Sequence, residues 1–274
     1  PPFLINYLQK MDRTNNYSNY EPSSSDSRMI ADYIERLPEL NKKVLTDHVL
    51  GIYFINNYRG SGLTDYILEN HKVRYFILVF NPGTLTTDAS AWLTYKENTC
   101  FKPDKNIHIE IDCGKTYTGF MYILLHETSH MADYLYHFSP YVEPDLRLLE
   151  KTGKNPQTAF TKDIWQNYTR PVSNYQLPWQ NRIHFYDSGK KPKLSSKQAL
   201  AIYKKLQQTP FASLYGSQNW AEDFAEFITW HHWTQKLGQP YTIKYFQKNL
   251  PVFAYAPLSS PLIIQRYNNF PATI

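Results

Sequence analysis

The chain predicts an α+β fold, with a small mixed sheet first and a mainly helical C-terminal half after it. Three observations carry that expectation. Short segments dense in Val, Ile, Tyr and Phe follow one another between Val49 and Asp112, as strands do. Apolar residues at helical spacing then take over from about Thr118 to His137, Ser196 to Gln208 and Asn219 to Lys236. Turn signals at Arg59-Gly60-Ser61-Gly62 and Asn81-Pro82-Gly83 cut the first part into separate units, and a run of strands followed by a run of helices is the α+β order.

Taken in order, Asn6 to Ser27 is rich in Asn, Ser, Tyr and charge with a period of neither 2 nor 3.6, which predicts a loosely ordered arm over 1–27 and a single folded domain over 28–274. Ser27 caps a helix through Ile30, Ile34 and Leu37, Pro38 ends it, and a second helix follows to about Asp47. Val49 to Asn57 and Lys72 to Phe80 read as strands, and Leu63 to Asn70 between them as a short helix. Ala91 to Phe101 reads as a further strand. Asn106 to Asp112 alternates Ile107, Ile109 and Ile111 with His108, Glu110 and Asp112, a strand with one buried face. The helix after Gly114 offers Phe120, Ile123, Leu124, Met131 and Leu135 to the core. From Phe138 to about Lys193 the periodicity is weak, with only a short helical suggestion near Asp145 to Lys151, and four prolines (Pro251, Pro257, Pro261, Pro271) break the terminal region.

Composition narrows the function. With 42% hydrophobic residues in 274 positions the chain can build a core without staples, and a monomer is expected. Twenty-nine basic residues against 24 acidic ones give only +5, and the one short basic run, Lys190, Lys191 and Lys193, sits among Gly189, Pro192 and Ser195 as a solvated loop, so nucleic acid is not an expected partner. No run of 18 apolar residues exists, hence no expected membrane span. The 23 tyrosines suit a peptide or sugar groove, or simply fill a core short of Leu and Val. Cys100 and Cys113 either close one disulfide loop of about 15 residues, worth ~3 kcal/mol, or remain two buried thiols. A start on Pro rather than Met, the arm and that possible disulfide together suggest a secreted, periplasmic or cell-surface protein.

The chemistry is concentrated in His126-Glu127-Thr128-Ser129-His130, an H-E-x-x-H string inside a segment that reads as helix independently. On a helix the two imidazoles project from one face about 6 Å apart along the axis and can meet at one tetrahedral zinc ion. Glu127 points about 100° away, beside the metal, where a carboxylate can act as general base on a water the metal activates. The alternative is two surface histidines with Glu127 in an exposed ion pair. Leu124, Leu125, Met131 and Leu135 argue against it, because a buried helix makes unliganded imidazoles costly. For the third ligand, His137 lies ~10 Å further along the helix and Asp133 diverges, as a cap or a support for a ligand. Trp220-Ala221-Glu222-Asp223-Phe224-Ala225-Glu226-Phe227 is better placed: Glu222 can bind zinc, and Glu226, one turn on, can accept the free ring N–H of a ligating histidine. Both could instead be solvent-facing acids, a reading that Phe224, Ala225 and Phe227 weaken.

These two motifs resemble the gluzincin metallopeptidases, in which a Glu from a later helix completes H-E-x-x-H. Within them, Tyr215-Gly216 with Asn219, Glu222 and Phe224-Ala225-Glu226 is similar to the catalytic domain of the anthrax lethal factor family, and a family Asp falls on Asp133. The resemblance implies a zincin-like domain, Zn2+ held by His126, His130 and Glu222, Glu127 as base, and Tyr215 as the phenol that hydrogen-bonds the oxyanion. The 91 residues between His130 and Glu222 exceed the family's usual spacing, so 138–193 looks like an insertion.

The expectation is therefore a zinc endopeptidase acting on a protein or peptide, with the strand Asn106 to Asp112 edging the cleft and His108 and Glu110 near the substrate. Two other readings stand beside it, a zinc-containing binding module whose tyrosine-rich insertion does the recognition, and a metallohydrolase for a non-protein amide such as a cell-wall polymer.

Overall fold

Apolar residues one helical turn apart seat the N-terminus on a sheet. In the computed structural model, which describes residues 2–70, 72–140, 157–185 and 191–270, helix α1 (Pro2–Asp12) buries Leu4 and Leu8 in a cluster with Ile55, Tyr58 and Val79. Strand β1 (Ser18–Tyr20) pairs antiparallel with β2 (Val49–Asn56), Tyr20 opposite Phe54. The stretch expected to be loose thus carries a helix and a strand; the polar composition from Asn6 onward leaves out Leu4, whose four-residue spacing from Leu8 is the helical signal.

Ser23 caps α2 (Ser24–Glu35) in a reciprocal capping box with Asp26, one turn before the expected Ser27, and α3 (Glu39–His48) follows Pro38. The segment expected to be a helix is strand β3 (Gly62–Glu69), paired antiparallel with β4 (Lys72–Phe80) from Gly62 opposite Phe80 to Glu69 opposite Lys72. Gly62, Thr64 and Tyr66 face α6 and the cavity while Leu63 packs on the α1 cluster, so neither face is simply water or core, its residues do not alternate cleanly, and pairing with β4 decides its structure. The sheet order is β1-β2-β4-β3, with β2 parallel to β4 and β3 at one end.

After the single turn α4 (Gly83–Thr86), the expected strand at Ala91 is helix α5 (Ala89–Asn98). Asp88 caps it by accepting from the Ala91 N–H at 2.9 Å, and Leu93, Lys96 and Glu97 turn inward at helical spacing. Strand β5 (Phe101–Lys102) precedes β6 (Ile107–Asp112), where Ile107, Ile109 and Ile111 are buried as their alternation predicts. Cys100 and Cys113 are both buried and are not joined to each other by a disulfide; burial pushes the Cys113 thiol up to about 12.

Helix α6 (Gly119–Tyr136) is buried along nearly its whole length. The short strands β7 (Trp165–Asn167) and β8 (Arg170–Pro171) form a hairpin, and β9 (Leu194–Ser195) leads into α7 (Ser196–Leu206). Helix α8 (Trp220–His231) packs along α6 and runs on into a π-helical turn, His232–Lys236. The proline-broken end forms β10 (Thr242–Gln247), β11 (Leu250–Tyr255) and α9 (Pro261–Asn268). Strand β10 lies between β11 and β6 in a second, three-stranded sheet. The helical suggestion at Asp145 to Lys151, and Lys190 of the basic run, lie outside the described residues. Among the described residues no helix is long and apolar enough to cross a membrane. The architecture is α+β, with α6 set among α3, α5, α8 and strand β3.

Candidate metal centre

Two histidines one turn apart on α6 face the first turn of α8. The Asn219 side chain caps α8 by accepting from the backbone N–H of Ala221 at 3.0 Å and of Glu222 at 2.9 Å, which sets Glu222 at the start of the helix beside α6. The His126 and His130 Nε2 atoms are 3.1 Å apart, and Glu222 Oε2 lies 3.0 Å from the first and 3.5 Å from the second. Those three edges match one face of a tetrahedron around an ion with bonds of about 2.0–2.1 Å, whose edge is roughly 3.3 Å. Two imidazoles and a carboxylate are also the donor set zinc accepts. Among the described residues these three form the cluster able to hold a metal ion.

The electrostatics ask for positive charge at that point. Burial disfavours a charged His126, but Glu222 and Glu226 overcome it and raise the imidazole to about 9. Burial likewise pulls Glu222 upward, yet His130 and His126 hold it well below the usual carboxylate range. Either a proton on His126 or a cation among the three donors satisfies this demand.

Glu226, one turn beyond Glu222, orients His126 from behind. Its Oε1 sits 2.8 Å from His126 Nδ1 and accepts from the Tyr122 hydroxyl, while Oε2 accepts from Ser213 Oγ at 2.5 Å and Trp230 Nε1 at 2.9 Å. Such a fully engaged carboxylate favours the tautomer that turns the Nε2 lone pair toward the other donors. His126 Nδ1, whose contact with Glu226 is an ion-pair distance rather than a directed hydrogen bond, and His130 Nδ1 are both buried with no hydrogen-bond partner among the described residues. Asp133 does not serve His130. Its carboxylate accepts from Ser139 N and Oγ, both at 2.6 Å, and closes the end of α6, where His137 takes a left-handed φ of 54°. Burial raises Asp133 to about 6 against those two bonds. His137 stands at that far end, beside Tyr134 and away from the donors.

Glu127 points to β3. Thr64 Oγ1 donates to its Oε2 at 2.7 Å, and β3 comes this close only because position 62 is glycine. A Cβ there would lie 2.4 Å from Ile123 Cγ2 and 3.0 Å from Glu127 Oε1. Glu127, His126, His130, Glu222 and Tyr215 all line one cavity of about 250 Å³, whose opposite wall is Gly62 to Thr64 and Tyr66. Tyr215 is half-buried, its ring 5.6 Å from that of His126 and edge-on to Phe185 at 4.8 Å.

The structure thus brings the five expected residues together, with Glu226 behind them. It separates the strand expected to edge the cleft. In the second sheet, Glu110 and Asp112 hold Lys244 at 2.9 and 3.0 Å, and His108 stacks on Phe246. Strand β3 takes that place, and Gly62, Thr64 and the buried Lys96 beneath Tyr215 went unseen because β3 read as helix and α5 as strand. The Asp88 cap was the signal that could have corrected α5. No protein-family model, curated protein or solved structure matches the chain.

Proposed function

We propose that the chain is a zinc-dependent endopeptidase of the gluzincin type, with a zincin-like arrangement of its site. The observation that carries this reading is the tetrahedral-face triangle of His126, His130 and Glu222 donor atoms on the wall of a cavity that also holds Glu127. A zinc ion bound there supplies Lewis acidity and makes a water nucleophilic near neutral pH. A closed structural site, as in a binding module, would use a fourth protein ligand, whereas here three donors cluster among the described residues and line an open cavity.

The chain's own residues do the rest. Thr64 holds Oε2 of Glu127 and leaves Oε1 to take the proton of the attacking water and deliver it to the departing amine. The Tyr215 phenol donates toward the oxygen that gains charge in the transition state. Strand β3 ends its sheet, so its outer edge can pair with an extended backbone laid along the cavity, which favours a peptide over a compact amide.

Metal analysis and a quenched peptide library, applied to the wild type and two variants, test the assignment. The wild type is expected to hold about one zinc and to cleave. Glu127→Ala should keep its metal and lose activity by about 10²- to 10⁴-fold, and Glu222→Ala should lose its metal. A wild type that binds no zinc sinks the reading, and one that binds zinc but cleaves no peptide shifts it to a binding module or a non-peptide substrate.

A further inference from the structure

Lys96 on α5 is 7% exposed, and among the described residues no carboxylate lies within ion-pair distance of it, although its charge reaches Glu97 and Glu226. A buried ammonium held apart from its counter-charges is costly, so its immediate surroundings must compensate. Nζ donates to the Tyr122 hydroxyl at 3.3 Å and lies 3.5 Å from the centroid of the Tyr215 ring, with the Tyr122 and Phe185 rings at 5.3 and 5.6 Å. The closest of the three ring contacts falls on Tyr215, a residue of the proposed active site. Lys96 also shares with Tyr215, Tyr122, His126, Glu127 and Gly62 the wall of a second, smaller cavity of about 30 Å³. The bonded neighbour, Tyr122, in turn donates a hydrogen bond to Glu226. One ammonium therefore touches both the ring at the cavity wall and the chain of groups that orients His126.

We propose that Lys96 is the positioning residue for Tyr215: its ammonium, stacked against the ring, holds the phenol at the metal-site wall and strengthens it as a hydrogen-bond donor to the reacting oxygen. This role rests on the peptidase reading, but the contact itself is independent of it. A cation against a desolvated aromatic face attracts strongly, and it fixes the ring without using the hydroxyl. Ser213, which bonds both Glu226 and the Gly216 N–H at 2.9 Å, secures the backbone of the same loop. Lys96 secures the ring.

The test compares Lys96→Met and Lys96→Arg, each alone and combined with Tyr215→Phe, by zinc content, kcat and KM on a peptide the wild type cleaves. Lys96→Met should keep its zinc and lose roughly 10- to 100-fold in kcat with KM little changed. It should add almost nothing to the loss in Tyr215→Phe, and Lys96→Arg should recover most of the rate. A kcat loss fully additive with that of Tyr215→Phe, or one explained by lost zinc, would overturn the proposal. An NMR measurement on the unsubstituted protein separates this from the fate of the peptidase reading and does not depend on a variant folding. The Lys96 Hε protons should be shifted upfield and show nuclear Overhauser effects to the Tyr215 ring. If they do while no peptide is cleaved, the positioning contact stands and the substrate reading falls; if they do not, the proposal is wrong.

Discussion

Single atoms decide how well the three donors are aimed. Glu226 bonds or faces four side chains at once, and its charge, unlike that of an amide, attracts the Nδ1 proton of His126. Glu226→Gln should therefore weaken zinc binding by about 10- to 100-fold, read by competition with a chromophoric chelator. Thr64→Val removes the hydroxyl that holds Glu127 and nothing that holds metal. Zinc content should stay at the wild-type level while kcat falls by roughly tenfold, the rate equivalent of one charge-assisted hydrogen bond. The histidines and Glu127 were legible in the sequence because their spacing on one helix is itself the geometry, and Glu222 through its i, i+4 pairing with Glu226 on a second helix and the family resemblance. Thr64 and Gly62 were not, since each matters only through a strand's approach to a helix 60 positions later in the chain.

At the level of elements, α8 is held from both sides. Asp223 on the face away from the donors accepts from Trp165 Nε1 at 2.8 Å and forms a two-pronged pair with Arg266 of α9 at 2.9 and 2.6 Å. All three groups are buried, so Arg266→Met leaves a buried carboxylate short of its partner. It should destabilise the fold by about 3–5 kcal/mol in denaturant unfolding. Helix α5 carries a pH dependence of its own. Burial raises Glu97 to about 7 even though the Tyr203 hydroxyl, 2.7 Å away, opposes the shift. A folded-state value above the unfolded one of about 4.3 means that this group's stability is complete below that value and is lost as pH rises through about 7. Glu97→Gln keeps a hydrogen-bonding group there but cannot ionise, so its unfolding free energy should fall less than the wild type's between pH 5 and pH 8. Helices α6 and α8 and strand β6 were readable because each carries its own period, and β4 because its apolar run ends at a turn signal. Strand β10 and helix α1 depend on partners distant in the sequence, β6 and the cluster around Ile55 and Val79, which no local window contains, while β3 and β11 are hairpin arms on β4 and β10.

Across the whole molecule, the N-terminal segment and the candidate site are joined. Tyr17 Oη donates to Asp12 at 2.6 Å, Arg59 Nη1 donates to the Asp12 carbonyl at 2.7 Å, and Asp12 and Arg59 both line the site cavity. Deleting residues 1–17 should lower Tm by exposing Ile55, Tyr58 and Val79, at about 1.5–3 kcal/mol for each fully uncovered aliphatic side chain. It should also raise KM more than it lowers kcat, since the donors themselves lie on α6 and α8. The α+β order was visible from the start; the division of strands between two sheets was not, because only long-range pairing separates β6 from β3. That division gives β3 a double duty. On the proposed reading, the strand along which a substrate would lie is also the strand whose threonine holds Glu127, so an ill-fitting chain that pushed β3 aside would detune Glu127 in the same movement. Recognition and reactivity would then be read from one gauge, and a poorly matched peptide could occupy the cleft without being cut.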